Sequence, residues 1–241
     1  MVNIVPNTAE TGVKKAVMVQ HWSDLVFIHW RYPAETVQAL LPEGVEIEQF
    51  DGTAWVGLIP FHMNDLGFPL VHPLPHVGSF PEVNVRTYVR CGDFSGVWFF
   101  SLDINKILPT LTARAVYEIP YCYGSVSHKK VGDFVATTVA RKWPGSKVAS
   151  SIVIETKEPT DGDLERFLTA RWGLITKSKR SKFLWGQVHH PPWKLHNAQL
   201  LHLDDTLVTA AGLPKPEGDP HVMYSQGVSV RIGWPKTIRR L

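Results

Sequence analysis

The amino-acid sequence predicts a mainly β protein of the α+β class, a closed or nearly closed antiparallel β-barrel with a few peripheral helices. Three observations carry this prediction. Residues 83–90 alternate between two faces, one of Val and Thr and one of larger polar side chains, which is the period of a β-strand. Turn-forming Gly, Pro and small polar residues recur at short intervals. Segments with a helical apolar period are few and short.

Three segments are predicted to be helical. Pro33–Leu41 starts with Pro, carries apolar residues at helical spacing and stops at a Pro-Glu-Gly sequence. Asp161–Ala170 begins at an Asp-Gly-Asp cap and has an apolar stripe along one side. Asn105–Arg114 is expected to hold only a short helical turn, because Pro109 interrupts it.

Four turns predict strand reversals. The turn Cys91–Asp93 joins the alternating strand to residues 96–100, which are apolar at every position and therefore suit a strand buried on both faces. The other predicted hairpins join Tyr123–Lys129 to Phe134–Arg141, Phe134–Arg141 to Val148–Glu155, and Trp172–Thr176 to Phe183–Val188. Such a series closes into a barrel or packs into sheets, because open strand edges invite aggregation.

Length and composition predict one domain. The 241 residues are 44% hydrophobic, and no repeat or linker divides them. We expect a flexible N-terminal leader over residues 1–17 and a single domain over residues 18–241. The two cysteines favour a reduced, cytoplasmic protein over a disulfide framework. A net charge of +3 predicts no nucleic-acid partner, no apolar run is long enough to predict a membrane span, and a homo-oligomer is left open.

One face of the alternating strand predicts a ligand site. Its residues are Glu82, Asn84, Arg86 and Tyr88. Beside a strand with no polar side, such a row fits the lining of a closed pocket better than a solvated surface. Glu82 would serve as general acid or base if burial raises its pKa, and Arg86 would bind a carboxylate or phosphate. The alternative interpretation is a buried ionic network that fixes strand register, with Asp103 or Arg114 as partners.

No cofactor and no metal site are predicted. His72 and His76 have the spacing of a helix face, but the prolines around them forbid that helix. His189 and His190 are adjacent in a predicted strand and would point to opposite sides. Cys122, on a predicted buried strand, is expected to be inert. Phosphate-binding loops and the serine-hydrolase elbow are absent from the sequence, so nucleotide-dependent chemistry and serine hydrolysis lack support.

Several blocks in one order resemble the YqjF-like family of uncharacterised bacterial proteins, over nearly the whole chain from Val19 to Trp234. These blocks are residues 20–25 with His29-Trp30, 52–57 with Pro60-Phe61, 82–89, 99–103 and 189–193. That family is similar to the acetoacetate-decarboxylase-like superfamily. The resemblance therefore implies an antiparallel β-cone or barrel around a central ligand cavity.

The resemblance also implies site residues. Acetoacetate decarboxylases form a Schiff base through a lysine in a Phe-Pro-Lys-Lys block, and here Tyr121 and Cys122 stand at the two lysine positions. No imine route is expected there, whereas Glu82 matches the superfamily's cavity glutamate. An acidic residue that the family usually carries before Arg171 is missing, so no role of that carboxylate is carried over. The predicted catalytic residue is Glu82, and the predicted ligand-binding residues are Arg86, Asn84, Tyr88, Tyr121, Arg114 and Trp30.

The sequence thus predicts an internal pocket for a small organic carbonyl compound or carboxylate. A lyase- or hydrolase-like enzyme that uses Glu82 as acid and base is one hypothesis. A non-catalytic small-metabolite-binding protein is the second, and a structural module that fills its own cavity is the third. A cavity of ~300 Å³ or more bordered by Glu82, Arg86 and Tyr88 would favour the first two hypotheses over the third.

Overall fold

A computed structural model of the chain describes residues 12–13, 15–69, 78–112, 118–178 and 182–238. The strands in this part of the chain are β1 (Ala16–Tyr32), β2 (Glu46–Ile47), β3 (Ala54–Gly67), β4 (Phe80–Cys91), β5 (Phe94–Ile104), β6 (Tyr121–Val131), β7 (Phe134–Trp143), β8 (Ala149–Thr160), β9 (Gly173–Lys177), β10 (Phe183–His189), β11 (Leu195–Asp205), β12 (His221–Gly233) and β13 (Lys236–Ile238). The helices are α1 (Ala34–Gln38), α2 (Ile107–Thr112), α3 (Asp163–Thr169) and α4 (Leu207–Ala210).

The strands form one sheet that closes partly into a ring. Their order is β13-β10-β9-β5-β6-β7-β8-β11-β12-β1-β3-β4-β2, and β4 also pairs with β5. Hydrogen bonding therefore runs from β5 through β6, β7, β8, β11, β12, β1 and β3 to β4 and back to β5. A further pairing of β10 with β12 closes a second circuit through β1, β3, β4, β5 and β9. The mainly β class predicted from the sequence is confirmed.

The hairpins predicted from turn residues are present. β4 and β5 pair in antiparallel fashion, as do β6 with β7, β7 with β8, and β9 with β10. Two pairings depart from the predicted antiparallel series, because β5 runs parallel to β6 and to β9. Neither neighbour follows β5 through a tight turn, and a parallel pair requires a longer connection.

The predicted helices are present but shorter. α1 and α3 lie inside the predicted ranges Pro33–Leu41 and Asp161–Ala170. In α2, Pro109 falls within the first turn, where its missing N–H removes no helical hydrogen bond. No helix in the described part of the chain has the length and apolar character needed to cross a membrane.

The predicted leader and domain boundaries remain predictions. β1 begins at Ala16, and Val13 is buried, so ordered chain reaches into the range assigned to the leader. Residues 1–11 and 14 lie outside the described residues, as do His72, His76 and Arg114.

Successive residues of β4 contribute to two separate cores. Val83 and Val85 are buried in one core cluster, which also contains Trp30. Phe80 and Tyr88 are buried in a second cluster, which contains Phe167 and Leu168 of α3. Because residues two apart in a strand share a face, Glu82, Asn84 and Arg86 lie on the side of the second core. That side is covered by α3.

Candidate functional site

The polar row consists of Glu82, Asn84, Arg86 and Tyr88 on one face of β4. The neighbours in register on β3 and β5 are Phe61 and Ile104 beside Glu82, Ile59 and Leu102 beside Asn84, and Gly57 and Phe99 beside Arg86. Apolar residues therefore flank the row on both sides. The row is a polar strip inside an apolar sheet face. This agrees with the sequence, in which the strand after the turn Cys91–Asp93 is apolar at every position over residues 96–100.

Glu82 is buried, with 2% of its surface exposed. The Tyr121 hydroxyl donates a hydrogen bond to its Oε2 at 3.0 Å, and the Asn84 amide donates to its Oε1 at 3.5 Å. Burial raises the pKa of Glu82 from 4.5 to about 7, although the hydrogen bonds from Tyr121 and Asn84 oppose this rise. The negative charge of Asp103 raises it slightly further. A carboxyl with this pKa can both take and give a proton near neutral pH.

Tyr121 keeps its proton beside Glu82. Burial and the neighbouring carboxylate raise the pKa of Tyr121 well above 10. The phenol is therefore a lasting hydrogen-bond donor to Glu82 and fixes the direction of one carboxylate oxygen. The structure thus brings together Tyr121 and Glu82, which the sequence predicted as site residues on separate grounds.

Arg86 has a cationic side chain with little hydrogen bonding. Its Nη2 donates to the Leu168 carbonyl at 3.4 Å, and its Nε is buried with no hydrogen-bond partner among the described residues. The guanidinium carbon lies 5.7 Å from the ring centroids of both Phe27 and Tyr88. No described carboxylate forms an ion pair with Arg86. A guanidinium in this state is suited to bind an anionic ligand.

Tyr88 and His29 form a buried pair. The Tyr88 hydroxyl donates to the Leu168 carbonyl at 2.7 Å and lies 2.6 Å from Nε2 of His29. A hydroxyl has one proton, so this arrangement makes His29 Nε2 the donor to Tyr88 and leaves Nδ1 as an acceptor. Nδ1 is buried without a hydrogen-bond partner in the described part of the chain. Burial, followed by the charges of Arg86 and His221, lowers the pKa of His29 well below 6.5.

His29 contacts the polar row, although the sequence reasoning did not select it as a site residue. It lies opposite Gly57 in register, and a Cβ at Gly57 would come within 2.7 Å of His29 Nε2. The glycine therefore leaves the space that the imidazole occupies. Residues 25–30 are almost all apolar, so the sequence carries no alternation that would tell which face His29 occupies.

The last turn of α3 is fixed by side chains from the site. Tyr88 and Arg86 donate to the Leu168 carbonyl, as described above. Arg171 Nε donates to the Phe167 carbonyl at 2.7 Å, and Trp193 Nε1 donates to the Thr169 carbonyl at 3.0 Å. The carbonyls that a helix leaves unpaired at its C-terminal end are thus satisfied here, and α3 is held over the polar row.

Arg171 is a second cation near the row that the sequence reasoning did not select. It is buried, and its Nη1 forms an ion pair with Glu48. Its guanidinium carbon lies 4.5 Å from the ring centroid of Tyr88. Burial lowers the pKa of Arg171, and the charge of Glu48 opposes that shift.

Several buried polar atoms around the row have no hydrogen-bond partner among the described residues. Those on this side of the sheet are His29 Nδ1, Trp55 Nε1, Asn84 Oδ1, Arg86 Nε and Arg171 Nη2. Native proteins leave only a few such atoms unpaired, because each costs about 1–3 kcal/mol. A group of donors and acceptors of this kind fits a surface that meets a polar ligand.

The remaining predicted residues are not in the row. Trp30 packs with Val83 and Val85, on the other face of the sheet. Arg114 lies outside the described residues, so its predicted role remains a prediction. Asp103, the other partner considered for an ionic network, receives two hydrogen bonds from Arg141 at 2.6 and 2.7 Å and lies opposite Val83 in register.

Two cavities are described. A groove of about 480 Å³ is lined by Leu40, Leu41, Pro42, Trp98, Phe99, Phe100, Glu118, Ile119, Pro120, Leu174, Ile175, Thr176 and Lys177. A second, of about 380 Å³, is lined by residues of β6 and β7 together with Asn105. Glu82, Arg86 and Tyr88 line neither, so the cavity predicted around them remains a prediction. Among the described residues, no three His, Cys, Asp or Glu side chains lie close enough to hold a metal ion.

Sequence comparison finds relatives over most of the chain. DUF2071, a family described as an uncharacterized conserved protein, matches residues 19–229. The uncharacterized protein YqjF of Bacillus subtilis (strain 168) is 32% identical over 222 residues, which is 91% of either chain. These matches bear out the resemblance identified from the sequence blocks.

Structure comparison finds similar folds at low sequence identity. An acetoacetate decarboxylase-like enzyme from Sphingomonas wittichii RW1 has a TM-score of 0.65 and 13% identity over 97% of each chain. Acetoacetate decarboxylase from Legionella pneumophila has a TM-score of 0.63 and 12% identity over 99% of this chain and 94% of its own. The enduracididine biosynthesis enzyme MppR complexed with pyruvate has a TM-score of 0.64 and 12% identity over 95% of this chain and 93% of its own. They confirm the acetoacetate-decarboxylase-like fold.

Proposed function

The chain belongs to the DUF2071 family of uncharacterized conserved proteins, and from that premise we propose that its polar row binds a small organic carbonyl compound or carboxylate. Glu82 is the acid and base of a lyase- or hydrolase-like reaction, and Arg86 binds the anionic group of the ligand. The reaction forms no Schiff base, because Tyr121 and Cys122 stand where the resemblance places the lysines.

The state of Glu82 is the observation that carries this proposal. A carboxyl with 2% exposure and no ion pair among the described residues is costly to bury, and an apolar side chain would stabilise the core better. Its pKa of about 7 lies where a group is most effective as a general acid and base. Strongly shifted pKa values in buried carboxyls are concentrated at functional sites.

The chemistry follows from the order of the row. Glu82 and Arg86 lie four residues apart on one face, roughly 13 Å along the strand at 3.3 Å per residue. One small molecule and two long side chains cover that separation. With the ligand's anionic group on Arg86, the Glu82 carboxylate removes a proton from the carbon beside the carbonyl, or from an attacking water, and then returns it. Tyr121 holds the carboxylate in one orientation throughout.

The alternative function is a non-catalytic small-metabolite-binding protein. The absence of an amine at positions 121 and 122 favours this alternative, because the imine chemistry of acetoacetate decarboxylases needs a lysine there. The same row, with Arg86 as the anion-binding group, would then recognise a metabolite without converting it.

We also propose a cytoplasmic location and a small-molecule partner. Cys91 and Cys122 are both buried, and a chain with only two cysteines is typical of the reducing environment of the cytoplasm. We expect a small-molecule ligand as the partner, with no nucleic acid and no membrane, and the sequence leaves a homo-oligomer open.

Thermal-shift screening with 2-oxo acids, 3-oxo acids, aldehydes and short carboxylates tests binding. Pyruvate is the first compound to try, since a solved protein of similar fold was obtained in complex with it. We expect a stabilising compound whose effect is lost in Arg86→Gln. Turnover of that compound, followed by NMR, should vanish in Glu82→Gln while binding persists. Binding without turnover in the wild type supports the non-catalytic binding function. The absence of any stabilising compound would refute the proposal.

A further inference from the structure

The groove of about 480 Å³ lies where β5 changes partner. β5 pairs with β9 at Val97 and with β6 from Leu102 onward, and both pairings are parallel. Residues 98–100, between these two contacts, line the groove. The sheet is therefore open at this point, and the opening has the volume of a small-ligand pocket, which is usually 300–1,000 Å³.

The groove adjoins the polar row through two residues. Phe99 lines the groove, lies opposite Arg86 in register and packs against the core cluster that contains Tyr88. Pro120 also lines the groove and directly precedes Tyr121, whose hydroxyl donates to Glu82. Groove residues thus lie beside both ends of the proposed reaction site. Phe99 is the strand neighbour of Arg86, and Pro120 is the chain neighbour of Tyr121, which contacts Glu82.

The lining of the groove is mostly apolar. Leucine, isoleucine, proline, tryptophan and phenylalanine make up ten of the thirteen lining residues, and the polar ones are Glu118, Thr176 and Lys177. The Thr176 hydroxyl already donates to the Glu118 carbonyl at 3.3 Å. An alkyl chain would bury its surface against such walls, whereas a second carboxylate would lose its hydration there.

We propose that this groove binds the apolar tail of the ligand whose anionic group sits on Arg86, so that the natural ligand is a medium-chain oxo acid. This inference rests on the proposed function, because it needs the head group to lie at the polar row. It assigns the specificity for chain length to the seam between β5, β6 and β9. Phe99 then lies at the boundary between the head-group site and the tail site.

The test compares pyruvate with 2-oxooctanoate by isothermal titration calorimetry. Each buried methylene strengthens binding by about fourfold, so even partial burial of the five additional carbons should make 2-oxooctanoate bind at least about tenfold more tightly. Leu40→Trp should narrow the groove and weaken 2-oxooctanoate by about tenfold while leaving pyruvate unchanged. Leu40 is 38% exposed, so this variant should fold.

Leu201→Trp is the matched control. Leu201 is 47% exposed, lies on β11 and does not line the groove, so both affinities should equal those of the wild type. Thr176→Phe provides a second obstruction from the β9 side. If both acids bind with equal affinity, or if Leu40→Trp and Thr176→Phe leave 2-oxooctanoate unaffected, the tail site is refuted while the proposed function stands. If neither acid binds to the wild type but another compound of the thermal-shift screen does, the tail site alone is refuted, and if no compound of that screen binds, the proposed function itself fails.

Discussion

Glu82 makes the stability of this protein depend on pH in a definite direction. Its pKa is about 7 in the folded chain and 4.5 when unperturbed, so the folded state holds the proton more tightly than the unfolded state. Its contribution to stability is therefore fully present below pH 4.5 and is lost as the pH rises through about 7.

The Glu82→Gln variant should escape this loss. We expect its free energy of unfolding to match that of the wild type near pH 4.5 and to exceed it at pH 8 by roughly 3 kcal/mol. Urea unfolding of both proteins at pH 4.5, 6 and 8 measures the difference. Glu158→Gln, at an exposed carboxyl whose pKa is lowered, is the control and should show no such rise. A difference for Glu82→Gln that stays constant with pH would contradict the burial argument.

The Tyr88 hydroxyl serves two buried groups at once. Tyr88→Phe would leave His29 Nε2 without its hydrogen bond and the Leu168 carbonyl with only the 3.4 Å hydrogen bond from Arg86, and we expect a loss of about 2–4 kcal/mol. Tyr32→Phe is the matched control, since that hydroxyl donates only to the Pro214 carbonyl, and it should cost about 1 kcal/mol. Urea unfolding at pH 7 compares the two variants. Equal losses would show that the contact between Tyr88 and His29 adds no stability.

At the scale of residues, the sequence predicted the polar row but not what it contacts. Glu82 and Arg86 could be placed on one face because the alternation of β4 is visible in the sequence. Trp30 was selected as a ligand-binding residue and His29 was not, although His29 is the one that contacts Tyr88. Neighbours in a strand face opposite ways, and β1 is apolar on both sides around these two residues, so no alternation pointed to His29. Tyr88 is 59 residues away from His29, and no local pattern reports such a contact.

Among the elements, hairpins were predictable and distant pairings were not. The β6–β7 and β7–β8 hairpins follow from turn residues that lie between their strands. The parallel contact of β5 with β9 joins Val97 to Leu174, and the intervening chain carries no signal of that register. The position of α3 over the polar row was not predictable either, because its apolar stripe requires burial without specifying a partner.

β1 and β3 approach closely at Gly57, and this approach can be tested. Gly57→Ala would place a Cβ within 2.7 Å of His29 Nε2, which is itself bonded to Tyr88. We expect a loss of about 1–3 kcal/mol, because the imidazole must shift in a packed core. Gly233→Ala on β12 is the control, since its Cβ would meet neighbours at 3.5 Å, an ordinary contact distance. Thermal unfolding should separate the two variants, and equal melting temperatures would refute the tight approach.

Across the whole molecule, the same strands support two different interiors. Val83 and Val85 of β4 face an apolar cluster, whereas its polar row faces α3. The first circuit of the sheet is closed at β5 and β6 by only three residue pairs, Leu102–Ile104 with Tyr121–Tyr123. Such a narrow seam needs support from side chains that reach across it.

The ion pair between Asp103 and Arg141 supplies that support. It joins β5 to β7 across β6 through two hydrogen bonds, and the side chains are 0% and 7% exposed. Arg141→Met would leave a buried carboxylate unpaired, and we expect a loss of about 3–5 kcal/mol in urea unfolding. Arg166→Met, which breaks exposed pairs with Asp161 and Asp163, should cost less than about 1 kcal/mol. Adding Asp103→Leu to Arg141→Met should restore part of the stability, because no unpaired charge then remains inside the sheet. A double variant no more stable than Arg141→Met would show that the seam depends on the hydrogen bonds themselves.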